Sequence, residues 1–132
     1  MYTTWELAKA LERRGFPQEV VQEAIALLLE RGYLDDEAYM RVYIEERRRV
    51  NPRGYFALRH ELKMKGIPPS LLEGLREMYP LEAEAEDVLR LLSLWEGRGV
   101  ERENLWRRLR TRGFAEEAIG WGWSLFTQGH RP

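Results

Sequence analysis

Leucine pairs spaced four residues apart recur along the chain, each followed four residues later by glycine and then by Phe or Ile. The copies are Leu7-Leu11-Gly15-Phe16, Leu58-Leu62-Gly66-Ile67 and Leu105-Leu109-Gly113-Phe114. Leucines at i and i+4 stack on one face of a helix. Glycine then takes the left-handed conformation that ends a helix at low cost, and the next apolar residue makes the contact that accompanies such a cap. Six residues beyond each glycine stands Val21, Leu72 or Ile119; Pro17 and Pro68 follow the first two turns, and Ala115 the third. A proline there suits the start of a new helix. Each phrase therefore predicts helix, sharp turn, helix. The glycines lie 51 and 47 residues apart. That period signals a supersecondary unit copied in tandem, each copy stacking on the next.

Polar signals place the remaining boundaries. Thr3 and Glu6 form a capping box that opens a helix over 4–14. Pro17 opens a second over 17–31, with Val20, Val21, Ala24, Ile25, Leu28 and Leu29 as its apolar face and Gly32 as its cap. Asp35 is the expected N-cap of a helix over 36–49, with Asp36 and Glu37 at its positive end and Tyr39, Val42 and Tyr43 facing inward. Asn51-Pro52 breaks the chain. Further helices are expected over 53–65, 68–79, 81–97, 101–112 and 115–128, with Pro80 and the Gly97–Gly99 stretch as separators. No segment alternates with period two for long enough to be a strand. The expected fold is all-α, with tandem repeats of three-helix units forming an elongated, curved array of about eight helices. The expected boundaries are a first unit over 1–50, a second, three-helix unit over 51–99 and a two-helix third over 100–132.

The composition is that of a globular chain: 33% charged and 44% apolar among 132 residues. No apolar run approaches the roughly 20 residues of a membrane helix, and the N-terminal residues lack the basic start and apolar core of a signal peptide. With no cysteine, neither a disulfide framework nor a cysteine-based zinc site is possible. The expectation is a cytoplasmic protein without membrane contact. His60 and His130 are the sole histidines, which leaves little for a metal centre or a catalytic triad. Glu82, Glu84, Glu86 and Asp87 lack the spacing of a calcium loop and read as carboxylates at the start of a helix. No phosphate-cradling glycine loop precedes a helix. Catalytic residues, metals and cofactors are therefore all expected to be absent. Trp106 and Trp123 fall beside apolar positions and read as packing residues, whereas Trp121 is expected to be exposed.

The net charge of −1 conceals segregation. Residues 47–66 hold seven Lys or Arg against one Glu, and residues 98–113 hold six Arg against two Glu. Such segregation is an electrostatic footprint for phosphates or for an acidic protein surface. The candidate binding residues are Arg47, Arg48, Arg53, Arg59, Lys63 and Lys65 in the first stretch and Arg107, Arg108, Arg110 and Arg112 in the second. With Leu58 and Leu62 facing the core, Arg59 and Lys63 form a stripe one turn apart on the neighbouring face.

Two stretches carry a specific likeness. Gly32-Tyr33-Leu34-Asp35-Asp36 followed by Tyr39, and Leu58-Arg59-His60-Glu61-Leu62-Lys63-Met64-Lys65-Gly66-Ile67, resemble the signature stretches of the RecX family, bacterial regulators of the RecA recombinase. The Arg47-Arg48-Arg49 run lies between them, where that family is also basic. The likeness runs from Thr3 to about Phe126. It implies a non-enzymatic inhibitor that binds the RecA–DNA filament and suppresses its ATPase and strand exchange, within DNA repair by homologous recombination and the SOS response. It further implies a monomer that contacts single- or double-stranded DNA. Relative to the family, one leading helix is expected to be missing before Thr3, and the turn at Asn51-Pro52-Arg53-Gly54 has one glycine. The competing expectation, from the basic helices alone, is a DNA-binding helical-repeat protein that acts independently of RecA.

Overall fold

The computed structural model describes residues 1–132 and contains nine helices. They are α1 (Thr4–Arg13), α2 (Gln18–Glu30), α3 (Asp36–Val50), α4 (Tyr55–Met64), α5 (Pro69–Leu72), α6 (Leu75–Met78), α7 (Leu81–Gly97), α8 (Arg102–Thr111) and α9 (Glu116–Thr127). None is long and apolar enough to cross a membrane. The all-α expectation holds. The helix expected over 68–79 is two short pieces instead, because Gly74 sits in a turn between them and donates to the Leu71 carbonyl at 3.0 Å. Glycine in a helix interior costs about 1 kcal/mol relative to alanine, so a break there is cheap. Leu72, Leu75 and Tyr79 still reach the same core.

The repeated phrase folds as its chemistry dictates. Gly15, Gly66 and Gly113 all have positive φ, and the residues six beyond them, Val21, Leu72 and Ile119, are all buried. The Thr3–Glu6 capping box forms in full, and the Asp35 carboxylate accepts from the Ala38 amide at 3.0 Å.

Two cores organise the molecule. One joins α3 to α4, α5 and α6 through Met40, Ile44, Leu58, Leu62, Leu72 and Leu75. The other joins α7, α8 and α9 through Val88, Leu92, Leu105, Leu109, Ile119 and Phe126. The long helices α3 and α7 pack forward onto the units that follow them, so the units run to about residue 34, then to about 79, then to the end. Gly122 sets the close approach of α9 to α7: a Cβ there would lie 2.5 Å from Val88 Cγ1.

The first unit is buried far less than the other two. Helix α1 buries nothing completely and α2 buries only Val21. Of the apolar face expected on α2, Val20 and Leu29 are nearly half exposed. On α3 the inward set is Tyr39, Met40 and Ile44, not Val42, which is half exposed; the core lies to one side of the stripe expected from the sequence.

Neighbouring units are joined by one repeated device. The N-cap residue of one unit bonds to the carbonyl just before the turn glycine of the next: Thr3 Oγ1 donates to Lys65 O at 2.6 Å, and the Gly54 amide donates to Arg112 O at 2.9 Å. A carboxylate from the next long helix caps the first amide of the same helix. Thr4 N donates to Asp36 Oδ1 at 2.8 Å, and Tyr55 N donates to Glu84 Oε2 at 2.9 Å. The approach is close at both junctions, since a Cβ on Gly54 would lie 2.2 Å from the Phe114 backbone and Gly66 sits against the Trp5 ring. No hydrogen bond links the first unit to the third, as a linear series of units requires.

Candidate nucleic-acid and protein interface

The acidic start of α7 takes a role that the sequence did not reveal. Glu84 and Asp87 stand at the start of a helix, as expected, but both are fully buried. Glu84 accepts from Tyr55 N and Ala115 N, both at 2.9 Å, and from Arg76 Nη1 at 2.8 Å. Asp87 accepts from Tyr79 Oη at 2.6 Å, from the Arg48 fork at 2.8 and 3.2 Å, and from Arg90. A buried carboxylate is tolerable only when so fully bonded. Burial, with the Asp87 charge beside it, pushes the Tyr79 hydroxyl far above its ordinary range. This network clamps the second unit to the third.

The clamp sorts the candidate cations. Arg48 is committed to Asp87 and also lies over the Tyr79 ring, so it serves the junction and not an exposed surface. Arg47 and Arg53 share Glu61, at 3.2 and 3.4 Å. Tyr43 also donates to Glu61, and the Tyr43 hydroxyl is pushed up first by burial and then by that bond. Arg110 is paired with Glu116 on the surface. That bond holds the Glu116 carboxyl below its ordinary range. Arg107 donates to the Asn104 side chain at 3.0 Å.

The other candidates make no ion pair. Arg59 and Lys63 are exposed on one flank of α4, with Leu58 and Leu62 fully buried beside them. On the opposite flank, Lys65 joins Arg47, Arg53, His60 and Tyr43 around a cleft of about 480 Å³ between the first two units. Its ammonium lies 5.6 Å from the Tyr43 ring centre. Arg108 and Arg112 lie over Trp95, at 5.5 and 5.3 Å. Arg112 also donates to Asn51 Oδ1 at 2.7 Å. Burial, and then the nearby charges of Arg53 and Arg108, push the Arg112 guanidinium down. The structure thus divides the ten candidates into a clamp residue, a set of hydrogen-bonded or ion-paired cations, the unpaired Arg59 and Lys63 on one flank of α4, and Lys65, Arg108 and Arg112, which rest over aromatic rings. Sequence spacing alone placed Arg48 with the binding set because an interior partner 39 residues away leaves no local signal.

The comparisons agree with this architecture. Residues 35–74 match the family model described as RecX, second three-helix domain, which covers α3, α4 and α5 and follows the grouping of the core. The chain is 31% identical over 116 residues to the regulatory protein RecX of Prosthecochloris aestuarii, covering 86% of this chain and 77% of that protein. It is 30% identical over 127 residues to the protein of the same name from Caldanaerobacter subterraneus subsp. tengcongensis, covering 90% of this chain and 60% of that one. With the Geobacillus kaustophilus protein the identity is 28%, and the match spans 46% of that longer chain. A crystal structure of regulatory protein RecX shares the fold, with a TM-score of 0.76 at 23% identity over 94% of this chain and 64% of that one. Repeat, fold and sequence likeness converge: the chain belongs to the RecX family of regulatory proteins.

Proposed function

We propose that this chain is a non-enzymatic regulator of the RecA recombinase, an inhibitor that binds the RecA–DNA filament and suppresses its ATPase and strand exchange. The observation that carries the reading is the Arg59–Lys63 flank of α4. Both cations are exposed and unpaired, on a helix whose neighbouring face is locked into the core by Leu58 and Leu62. A rigid helix presenting unneutralised charge is suited to an acidic protein surface. Membership of the RecX family supports RecA as that partner. The test is RecA ATPase activity on single-stranded DNA with increasing amounts of this protein, beside the double variant Arg59→Glu/Lys63→Glu. The parent should lower the rate. The variant should keep its melting temperature, because exposed charges contribute only about 0 to 1 kcal/mol to stability, and should lose inhibition. A parent without effect at large excess sinks the regulatory reading; a folded variant that inhibits like the parent removes this flank from it.

A second reading, a DNA-binding helical-repeat protein that needs no RecA, is favoured by the other unpaired group, Lys65, Arg108 and Arg112. Inhibition that persists when the order of adding DNA and RecA is reversed, and that scales with RecA rather than with DNA, speaks against it.

A further inference from the structure

In the register of the repeat, Ala8 and Glu12 of the first unit stand where Arg59 and Lys63 stand in the second and Trp106 and Arg110 in the third. In the second and third units this side of the unit faces outward. Arg59 and Lys63 are exposed, and Arg110 pairs with Glu116 on the surface. Gly120, the equivalent of Gln22, has open space where a Cβ would be, whereas α7 meets α9 at Gly122, on the next face of the helix. Both unit junctions are made by the same bonds, so equivalent positions of successive units lie along one side of the series.

In the first unit the same side is an apolar groove. Ala8 of α1 and Val21, Ile25 and Leu29 of α2 line a hollow of about 360 Å³, with Glu12, Gln18 and Gln22 around them. Val21, Ile25 and Leu29 recur every four residues and so form one stripe of α2. Val21 is buried, while Leu29 is 46% exposed. The clefts of similar size elsewhere are lined mainly by charged and polar side chains. No cation lines this one, and its single carboxylate, Glu12, is paired with Lys9 at 3.6 Å. An apolar hollow with a polar rim is the form in which protein interfaces receive an anchoring side chain. It offers nothing to a phosphate backbone, which needs cations.

We propose that this groove takes a large apolar side chain, of the size of Leu, Met or Phe, from the same acidic protein surface that meets Arg59 and Lys63. The inference rests on the reading of that flank as the RecA contact, and it adds an anchor to it. The two parts do different work. Charge on the second unit steers and orients the partner. The groove on the first unit supplies contact that is removed from water, which holds the partner once it has arrived. Their place on one side of the series lets a single partner surface reach both.

The test measures the affinity of the full chain for RecA filaments on single-stranded DNA, by biolayer interferometry across a salt series. Leu29→Gln should weaken binding about tenfold, and by a similar factor at every salt concentration, because the lost contact is apolar. Leu29→Met, which restores an apolar side chain, should recover the affinity. Arg59→Gln/Lys63→Gln should instead weaken binding mainly at low salt, where charges are least screened. A folded Leu29→Gln variant that binds like the parent overturns the proposal. So does self-association of the parent that Leu29→Gln abolishes while filament affinity stays parental, since the groove would then belong to a second copy of this chain. If Leu29→Gln loses its helical circular dichroism, Leu29→Ala decides, with at least about fivefold weakening expected and unchanged affinity overturning the proposal. A parent that does not bind the filaments overturns the RecA reading and this inference together; a parent that binds, with Leu29→Gln equal to it, overturns the groove alone.

Discussion

At the residue scale, the same letter of the repeat does different work in different copies. Leu62 and Leu109 are completely buried, while Leu11 at the equivalent place is half-buried. Truncating a buried leucine removes its transfer energy and leaves a cavity, which together cost about 2 to 5 kcal/mol. Leu62→Ala is therefore expected to lower stability by that amount in chemical denaturation, and Leu11→Ala by distinctly less. Equal losses would show that the first copy is packed as tightly as the second. The leucine phase was legible from the sequence because a period of 3.6 repeated three times leaves little freedom. The burial of Glu84 and Asp87 was not. Nothing in Glu82-Ala83-Glu84-Ala85-Glu86-Asp87 separates the two carboxylates that meet Tyr55, Arg76, Tyr79 and Arg48 from the two that do not.

At the element scale, the first two helices stand apart. Val20, Leu27 and Leu29 of α2 are each more than two-fifths exposed, and α1 buries nothing completely. Few buried apolar contacts mean a low free energy of local opening. The hairpin is held to the second unit through Thr3, Thr4 and the contact of Trp5 with Gly66. Amide hydrogen exchange should therefore be faster across α1 and α2 than across α7 and α9, which share the larger core. Comparable protection in the two regions would contradict this. Sequence periodicity gave α2 an apolar face, but a face is buried only where something packs on it, and of this face only Val21 is buried. The same limit explains Val42: the pattern fixed α3 as a helix, while the side that faces the core depended on where α4 lies.

At the scale of the whole molecule, stability runs through the junctions. The buried Tyr79–Asp87–Arg48 network ties the second unit to the third. Above pH about 10, tyrosines of the unfolded chain lose their protons while Tyr79 keeps its own in the folded state. The folded state then binds more protons than the unfolded one, so stability falls as pH rises. Stability is expected to be unaffected by this group below pH about 10 and to decline above it. Tyr79→Phe should cost about 1 to 3 kcal/mol at neutral pH through the lost bond to Asp87. It should also flatten the alkaline decline, leaving the smaller share due to Tyr39 and Tyr43, whose hydroxyls are likewise pushed up by burial. An alkaline decline of parental steepness in the variant would remove Tyr79 as its source.

By itself the sequence determined the local architecture: helices from the leucine spacing, turns from glycine and proline, caps from Thr3 and Asp35, and a repeat that implies units in series. These follow from interactions within a few residues, where chain geometry leaves few choices. The candidate cations could be named from charge segregation, and the two signature stretches named the family. Only the tertiary structure decided which helices share a core, because α3 and α7 could pack backward or forward and a periodic pattern is blind to that choice. It also decided which cations are free. Arg48 and Arg112 sit in equally basic stretches, yet one meets a buried carboxylate from α7 and the other meets Trp95, Asn51 and further positive charge. A charge is neutralised by whatever the fold brings within a few ångströms of it, and partners dozens of residues away along the chain are set by packing alone.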